Sequence, residues 1–392
     1  MKKLAIITTH PIQYNAPLFR LLHERKMVEI KIFYTWSQTE QGPKYDPGFK
    51  KEVEWDIPLL TGYPYTFVKN ISEAPGSGHN KGIDNPSLIK EVTDWKPDAV
   101  LIYGWNFKSH HAAMRHFHGR LPVIFRGDST LMDERPGIKK ILRRLWLRRI
   151  FSSVDLALYA GKANRAYFIA HGIKENELAF MPHAIDNDRF AKKEETIFAA
   201  NQLRQRLSIP ADALIFLFAG KLEEKKQPGM LAKAFAKLHE QNAFLIIAGS
   251  GELEEKLRSV YGDNKNIRFA GFQNQQQMPA LYAACDVFVL PSRGPGETWG
   301  LAINEAMAAG KAILASDACG ASLDLVKAGI NGYVFGRNDA AGLLQHMYFF
   351  AAHPEEVQIM GKESETIIQQ YSYLQDAAAV EKAVEALAAK KI

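Results

Sequence analysis

Two carboxylates, Glu297 and Glu305, lie eight residues apart around a predicted turn between a strand and a helix. The apolar run Val287–Leu290 predicts a buried parallel strand, and residues 291–296, rich in Gly and Pro, can extend neither a strand nor a helix. A helix is therefore expected to begin near Gly300. Its first N–H groups have no partner within the helix and carry the positive end of the helix dipole, so this turn can receive an anion such as a diphosphate.

The carboxylates would serve such a site indirectly. A carboxylate cannot bind a diphosphate, but it can accept hydrogen bonds from sugar or ribose hydroxyls beside one. Lys221 and Lys226 follow the predicted strand 213–219, and a pair of cations opposite the helix end would complete a clamp for the diphosphate. The alternatives are an ordinary surface or loop glutamate and a solvated lysine in a turn rich in Glu and Lys, where Lys225 is a rival.

The elements that must position these residues alternate along the whole chain. Short apolar runs are separated by segments with helical periodicity, which is typical of parallel, doubly wound α/β sheets. In the first half the predicted strands are 4–8, 30–34, 99–103, 123–125 and 156–159, and the predicted helices are 16–25, 86–94, 107–117, 138–150 and 162–171. In the second half the predicted strands are 213–219, 244–248, 267–270, 286–290, 312–315 and 332–335.

The length and composition limit the class of protein. A chain of 392 residues with 47% hydrophobic residues predicts two domains or three, each with its own core. No apolar run approaches the roughly 20 residues of a membrane span. The apolar stretch after Lys2 and Lys3 ends by Pro11, too early for a signal peptide, so we expect a cytoplasmic protein.

The charge and the cysteines exclude further classes. The two cysteines, Cys285 and Cys319, lack the spacing of a metal site or a disulfide framework. A net charge of +6 favours an anionic partner such as a nucleotide or anionic lipid headgroups. Nucleic acid is disfavoured because no basic and aromatic recognition motif accompanies the charge.

The segment from Glu297 to Glu305 resembles the E-x7-E motif of retaining GT-B glycosyltransferases of family GT4. Residues 220–226 are similar to the G-R-L-x-x-x-K segment of that family, with Lys221 in place of the usual Arg. The resemblance is dense from about residue 213 to 336 and looser from 1 to 190. Other segments that carry it are 244–251, 267–272 and 286–292.

This resemblance implies a GT-B fold, in which two Rossmann-like α/β domains face a cleft. We expect an acceptor-binding domain at 1–190, a donor-binding domain at 191–370, and a helical tail at 371–392 that crosses back onto the first domain. Residues 181–190 resemble the linker between the domains. Residues 36–82 contain many Gly, Pro and aromatic residues, which predicts long loops, and we assign them to acceptor recognition within the first domain.

The resemblance also implies an activity. It predicts a retaining glycosyltransferase that moves a sugar from a UDP-, GDP- or ADP-linked donor to a hydroxyl of a glycan or lipid-linked acceptor, in the assembly of surface polysaccharide. It implies no divalent metal and no other cofactor. Two alternatives remain: a GT-B relative that binds nucleotides without transfer, and a GT-B-like sugar epimerase or phosphorylase.

The family motifs assign roles to the residues of the second domain. Glu305 resembles the residue that binds the ribose hydroxyls, and Glu297 resembles the one that meets the donor sugar near the anomeric carbon. Lys221 and Lys226 would neutralise the leaving diphosphate, which makes Lys226 a catalytic candidate. The donor would further contact the backbone N–H groups of Trp299, Gly300 and Leu301, and a base-binding loop of Gly271, Phe272 and Gln273, where a simple strand-ending turn is the alternative.

The first domain offers two catalytic candidates. His10 lies where the first predicted strand ends, and a structural turn histidine is the alternative. Relatives often have a histidine in the loop after the fourth strand. Residues 125–130 form that loop here and contain no histidine, so Asp128 is the candidate acid/base or sugar contact.

Three further motifs point elsewhere. The histidines at 110, 111, 116 and 118 do not all share one helix face, and the D-x-D sequence at 186–188 lies in a linker, so we predict no metal site. Residues 138–150 form a basic amphipathic helix. That helix either lies on an anionic membrane surface or packs its apolar side on the sheet with its arginines in water.

Overall fold

The computed structural model describes residues 1–36, 44–46, 48–134 and 136–389. Up to residue 183 the elements are β1 (Lys2–Thr8), α1 (Ala16–Arg25), β2 (Val28–Tyr34), β3 (Lys44–Asp46), β4 (Lys51–Val53), β5 (Tyr65–Phe67), α2 (Leu88–Asp94), β6 (Ala99–Tyr103), α3 (Lys108–Phe117), β7 (Val123–Arg126), α4 (Ile138–Phe151), β8 (Leu156–Tyr159), α5 (Lys162–Ala170) and β9 (Leu178–Phe180).

The remaining elements follow the same alternation. They are α6 (Asn187–Phe190), α7 (Glu194–Arg206), β10 (Leu214–Ala219), α8 (Pro228–Phe235), β11 (Ala243–Ala248), α9 (Glu254–Tyr261), β12 (Ile267–Gly271), α10 (Met278–Ala283), β13 (Val287–Leu290), α11 (Leu301–Ala308), β14 (Ala312–Ser316), α12 (Ser322–Leu325), β15 (Gly332–Phe335), α13 (Ala340–Ala352), α14 (Pro354–Ile368) and α15 (Tyr373–Ala389).

The described residues form two compact units. The first contains those of 1–42, 58–183 and 373–392, and the second contains those of 43–57 and 184–372. Each unit has its own parallel sheet flanked by helices, as the alternating pattern predicts.

The sheet of the first unit has the strand order β5-β2-β1-β6-β7-β8-β9, and all its pairs are parallel. Both faces of β1 are buried. Leu4 and Ile6 pack towards α1 and α15, whereas Ala5 and Ile7 pack towards α3 and α4. A strand covered on both faces must be apolar at consecutive positions, which explains why these strands appear in the sequence as continuous apolar runs.

The sheet of the second unit has the order β12-β11-β10-β13-β14-β15 and is also parallel. Because β10 lies between β11 and β13, the chain leaves β10 in one direction and later returns on its other side. The carboxyl ends of β10 and β13 thus form a topological switch point, where open α/β sheets bind ligands. Lys221 and Lys226 follow β10, and Glu297 follows β13.

The C-terminal helix α15 belongs to the first unit. Ala377, Val380 and Val384 are buried in its core, and Arg25 of α1 donates two hydrogen bonds of 2.7 and 2.9 Å to the Glu381 carboxylate. This confirms that the helical tail joins the first domain. Residues 390–392 of the predicted tail lie outside the described residues.

The predicted strands are confirmed, with ends that shift by at most two residues. The prediction omitted β3, β4, β5 and β9, which have three residues each and are too short to show a period. Of the predicted acceptor loop 36–82, residues 37–43 and 47 lie outside the described residues. The described residues between 44 and 57 pack within the second unit, whereas the sequence analysis placed the whole segment in the first domain.

Helix α4 does not follow the alternative in which its apolar side covers the sheet. Only Leu147 and Phe151 are buried. Five large apolar side chains are 44–76% exposed, namely Ile138, Ile141, Leu142, Leu145 and Trp146. Within the described ranges, no helix combines the length and the apolar character that crossing a bilayer requires.

Candidate active site

The turn between β13 and α11 forms as the sequence predicts. Gly300 is the N-cap of α11 and has φ 100°, a conformation that favours glycine. A Cβ atom at this position would lie 2.9 Å from Leu290 Cδ2. The N-terminus of α11, with its partial positive charge, therefore lies beside the carboxyl end of β13.

The side chain of Trp299 is held inside the second unit. It is 5% exposed, and its Nε1 donates a 2.8 Å hydrogen bond to Asn304 Oδ1. Its ring lies 6.2 Å from that of Tyr371, between centroids. These contacts leave the predicted phosphate-binding role to the backbone of Trp299, Gly300 and Leu301, where it remains a prediction.

Glu297 and Lys226 form an ion pair in front of this helix. Lys226 Nζ donates to Glu297 Oε2, and the Ser292 hydroxyl donates to the same oxygen at 2.9 Å. A Cβ atom at Gly300 would lie 3.5 Å from the other Glu297 oxygen, so the carboxylate faces the helix end. The two side chains are 10% and 20% exposed, and water therefore screens only part of their attraction.

Lys221 takes a different partner. Its Nζ donates to both carboxylate oxygens of Asp46, at 2.9 and 3.1 Å. Asp46 comes from the β3–β4 hairpin and could not be found from spacing, because 175 residues separate it from Lys221. The rival Lys225 pairs with Glu223 at 3.2 Å and has 43% of its side chain exposed.

Glu305 lies in the interior of the second unit. It is 3% exposed, and the hydroxyl of Tyr282 in α10 donates a 2.7 Å hydrogen bond to its Oε2. Glu305 thus already has a structural partner, which the spacing of the two glutamates did not reveal. Its role at a ribose remains a prediction.

The predicted base loop follows β12. Gly271 has φ 69°, and the Gln273 side chain donates a 2.7 Å hydrogen bond to the carbonyl of Ala270, which closes the turn. The Phe272 ring contacts Phe49, which lies between β3 and β4, edge to face with centroids 5.1 Å apart, and Lys51 Nζ lies 4.2 Å from the centroid of the Phe272 ring.

The candidates of the first unit lie at the ends of β1 and β7. His10 Nδ1 is 3.0 Å from the Thr9 hydroxyl oxygen, and its ring packs edge to face on Trp36 at 5.3 Å. Asp128 lies two residues after β7. The roles of His10 and Asp128 remain predictions.

His183, which was not among the predicted site residues, lies near Asp128. Arg126, at the end of β7, is 5% exposed and donates to the carbonyls of Leu158, Met181 and Pro182, which ties the segment before His183 to β7. Burial, and then Arg126, lower the pKa of His183 to about 3, while Asp128 opposes the shift. The sequence signal was a histidine in the linker segment, but its proximity to Asp128 depends on Arg126 and could not be predicted from spacing.

The motifs set aside as metal sites have structural roles. Asp186 caps α6, and its Oδ1 accepts from the backbone N–H of Arg189 at 3.1 Å. His110 is fully buried between the Thr35 hydroxyl and the carbonyl of Gly104, and burial lowers its pKa to about 4. Within the described part of the chain, no three His, Cys, Asp or Glu residues are grouped to hold a metal ion. The absence of a metal requirement remains a prediction.

Neither cysteine has the character of a nucleophile. Both thiols are buried, and burial raises the pKa of each to about 12; for Cys319, Glu297 adds to the shift. Burial therefore disfavours the thiolate, which is the reactive form of a cysteine.

Comparison with known proteins finds similarity to glycosyltransferases in the second half of the chain. Residues 200–366 match the family model described as Glycosyl transferases group 1. An uncharacterized glycosyltransferase of Methanocaldococcus jannaschii is 34% identical over 140 residues, which cover 34% of this chain and 35% of that protein. The lipopolysaccharide 1,2-N-acetylglucosaminetransferase of Salmonella typhimurium is 32% identical over 186 residues, 44% of this chain and 48% of that protein. The matches thus span less than half of the length of either relative.

Solved structures extend the likeness to the whole fold. Anabaena Alr3699/HepE in complex with UDP aligns over 99% of this chain and 100% of its own, with a TM-score of 0.73 and 18% identity. The chain therefore has the GT-B fold of glycosyltransferases such as HepE, and its residues 200–366 match the group 1 glycosyltransferase family.

Proposed function

We propose that this protein is a glycosyltransferase that moves a sugar from a nucleoside diphosphate sugar to a hydroxyl of a glycan or lipid-linked acceptor. The observation that carries the proposal is the Glu297–Lys226 pair at the N-terminus of α11. A cation and a helix N-terminus favour a diphosphate, and a fixed carboxylate beside them favours a sugar that gains positive charge as its bond breaks.

The chemistry divides between the two residues of that pair. Lys226, with the helix N-terminus, neutralises the diphosphate as it leaves, and Glu297 stabilises the charge that develops at the anomeric carbon. The Ser292 hydroxyl and Lys226 both bond to one oxygen of Glu297, which fixes the carboxylate before a donor arrives. Following the resemblance to family GT4, the transfer retains the anomeric configuration and needs no divalent metal.

The relatives suggest which substrates to test first. HepE has been solved with UDP and with UDP-glucose, which makes uracil the first base to examine. The Salmonella relative is a lipopolysaccharide N-acetylglucosaminetransferase, which supports an acceptor in surface-polysaccharide assembly. We place the acceptor on the first unit, where Asp128, His183 and His10 are the polar candidates.

We further propose that α4 associates with an anionic membrane surface, which would place the protein on the inner face of the membrane. Its exposed apolar row lies among Lys139, Lys140 and four arginines, and residues 137–151 contain no acidic residue. A cavity of about 120 Å³ lies beside it, lined by His111, Met114, Arg115, Trp146, Arg149 and Ile150. Exposed apolar side chains ringed by cations favour the headgroup region of an anionic bilayer.

A donor screen tests the proposed activity. UDP-, GDP- and ADP-sugars are first ranked by the rise in Tm that each produces, since only ligands of the folded state stabilise it. The best donor is then followed by NMR during hydrolysis and transfer, which shows the configuration of the product. The proposal predicts turnover with retained configuration. A protein that binds a nucleotide but never cleaves a donor would be the non-catalytic relative instead.

A further inference from the structure

The described residues from Lys44 to Asp56, which we call the hairpin segment, belong to the second unit although they come from the first part of the chain. Its strands β3 and β4 pair in antiparallel register, with Asp46 opposite Lys51. Asp46 accepts backbone N–H bonds from Gly48 at 2.8 Å and Phe49 at 3.1 Å. The carboxylate is therefore held in place by its own turn.

That carboxylate binds Lys221 through both of its oxygens. Gly48 allows the close approach, because a Cβ atom there would lie 2.5 Å from Lys221 Cδ. Burial raises the pKa of Asp46, but the bond from Lys221 and the two backbone N–H groups outweigh it, and the pKa lies below its usual value. Asp46 is thus an anion bound to the cation that was predicted to bind the diphosphate.

The rest of the hairpin segment covers the neighbouring turns. The Ser250 hydroxyl donates to the carbonyl of Phe49 at 3.0 Å, and Phe49 and Lys51 contact the Phe272 ring. Lys221, Ser250 and Phe272 follow β10, β11 and β12, which are adjacent in the second sheet. The contacts therefore lie along the carboxyl edge of that sheet, where the donor is proposed to bind.

The far end of the hairpin segment is attached separately. Asn274 donates to the carbonyl of Glu54 at 2.7 Å, and the Gln276 amide side chain donates to the carbonyl of Asp56 at 2.6 Å. These bonds involve neither Lys221 nor Phe272. The contacts of Asp46 and Phe49 can therefore exchange for a ligand while the segment stays attached.

We infer that the hairpin segment is an autoinhibitory contact, in which Asp46 and Phe49 occupy Lys221 and the Phe272 loop in competition with a nucleoside diphosphate. The inference rests on the proposed function. A carboxylate presents to Lys221 anionic oxygens as a phosphate does, and the ring of Phe49 packs on Phe272 of the predicted base loop. The Asp46–Lys221 pair is about one third exposed, so it is weak enough for a diphosphate to replace it.

Removing the competing anion tests the inference. Asp46→Asn should bind UDP about three- to tenfold more tightly than the wild type by calorimetry. In the wild type Asp46 occludes a fraction of the sites, and this lowers the apparent affinity for UDP. Glu52→Gln is the matched control, since it removes one negative charge from an exposed side chain of the same hairpin. This control should bind UDP as the wild type does.

A second readout detects the segment itself. Trypsin should cut after the exposed Lys50 faster when UDP is present, and faster in Asp46→Asn without UDP. A normal Tm for each variant shows that it is folded. Unchanged or weaker UDP binding by Asp46→Asn, or protection of Lys50 by UDP, would overturn the inference while leaving the proposed function intact. If neither the wild type nor the variant binds any nucleoside diphosphate, both proposals fail.

Discussion

At the scale of single residues, both predicted clamp lysines already have anionic partners: Lys226 is paired with Glu297 and Lys221 with Asp46. A diphosphate must therefore exchange with carboxylates rather than fill a vacant cation site. The two exchanges have different outcomes. Displacing Asp46 would free Lys221, whereas an exchange at Lys226 would leave the Glu297 carboxylate with its hydrogen bond from Ser292.

If Lys226 and the N-terminus of α11 balance the charge of the diphosphate, as we propose, the site needs no divalent cation. We expect donor turnover to survive an excess of EDTA, with less than about a twofold change, because Lys226 and α11 supply the charge that a metal would otherwise supply. Transfer is timed with the best donor before and after dialysis against EDTA. Loss of activity that only one specific metal restores would contradict this assignment.

The residue types and spacing in the sequence indicate candidate side chains for the site, but not the partners of those side chains. Glu297 and Lys226 were identified by motif, and the turn at Gly300 followed from the end of an apolar run. Asp46 and Tyr282 could not be found in this way, because contacts between distant segments depend on how the chain folds back. His183 was missed because its proximity to Asp128 depends on Arg126, which holds the preceding carbonyls.

At the scale of elements, the packing of α4 could not be predicted from its sequence pattern. Its apolar residues occupy more than one side of the helix, so the sequence left open which side faces the sheet. Packing settles the question: Leu147 and Phe151 face the core, and the row from Ile138 to Trp146 remains in water. Strands such as β10 and β13 were predictable because a buried parallel strand is apolar at every position.

The exposed apolar side chains of α4, with the cations around them, predict salt-sensitive binding to anionic vesicles. Replacing Lys139, Arg148 and Arg149 with Gln should weaken binding by about 1 kcal/mol for each charge, and should leave donor hydrolysis unchanged. Flotation with vesicles of phosphatidylcholine and phosphatidylglycerol measures the bound fraction at low and high salt.

The matched control removes three exposed charges elsewhere, through Arg206, Lys233 and Lys256 replaced by Gln. This control should float as the wild type does. If the wild type does not float with anionic vesicles, or floats equally with phosphatidylcholine alone, α4 is not a membrane surface.

At the scale of the whole molecule, α15 is part of the first unit and carries a buried carboxyl into it. Asp376 is 4% exposed, and burial raises its pKa to about 8, while Arg126 opposes the shift. The folded protein therefore keeps this proton over a range in which the unfolded chain, near its usual value of 3.8, has lost it. The contribution of the protonated Asp376 carboxyl to the free energy of unfolding is complete below about pH 4 and is lost as the pH rises towards 8.

Asp376→Asn removes this titration. The free energy of unfolding of the variant relative to the wild type should rise between pH 4 and pH 8 by about 1–3 kcal/mol, which is a few degrees in Tm, because only the wild type is destabilised there by ionisation of Asp376. Calorimetry at a series of pH values measures the difference. Glu24→Gln, on the exposed side of α1, should show no such trend. A Tm difference between Asp376→Asn and the wild type that stays constant with pH would contradict the raised pKa of Asp376.

The division of the chain into two units could be predicted only in part from the sequence. Two parallel sheets and the return of the tail followed from the alternating pattern and from family resemblance. The attachment of the hairpin segment to the second unit did not, because a segment between two strands of one sheet is expected to stay with that sheet. The strands β3 and β4 are short and contain few apolar residues, so the sequence pattern does not predict which unit they join.

The central claim, that the chain transfers a sugar at Glu297 and Lys226, is tested by two glutamate variants measured side by side. Glu305→Ala should weaken UDP binding about ten- to a hundredfold, because it removes a charge-assisted hydrogen bond to the ribose. Tyr282→Phe controls for loss of the structural bond to Glu305. Glu297→Ala should leave UDP binding undiminished, since Lys226 is released from its partner, and lower kcat by about 100-fold or more.

The deciding measurement is UDP affinity by calorimetry and transfer rate at saturating donor for both variants. The account predicts lost affinity for Glu305→Ala and lost turnover with intact affinity for Glu297→Ala. Equal losses of affinity in the two variants, or near-normal turnover by Glu297→Ala, would contradict it.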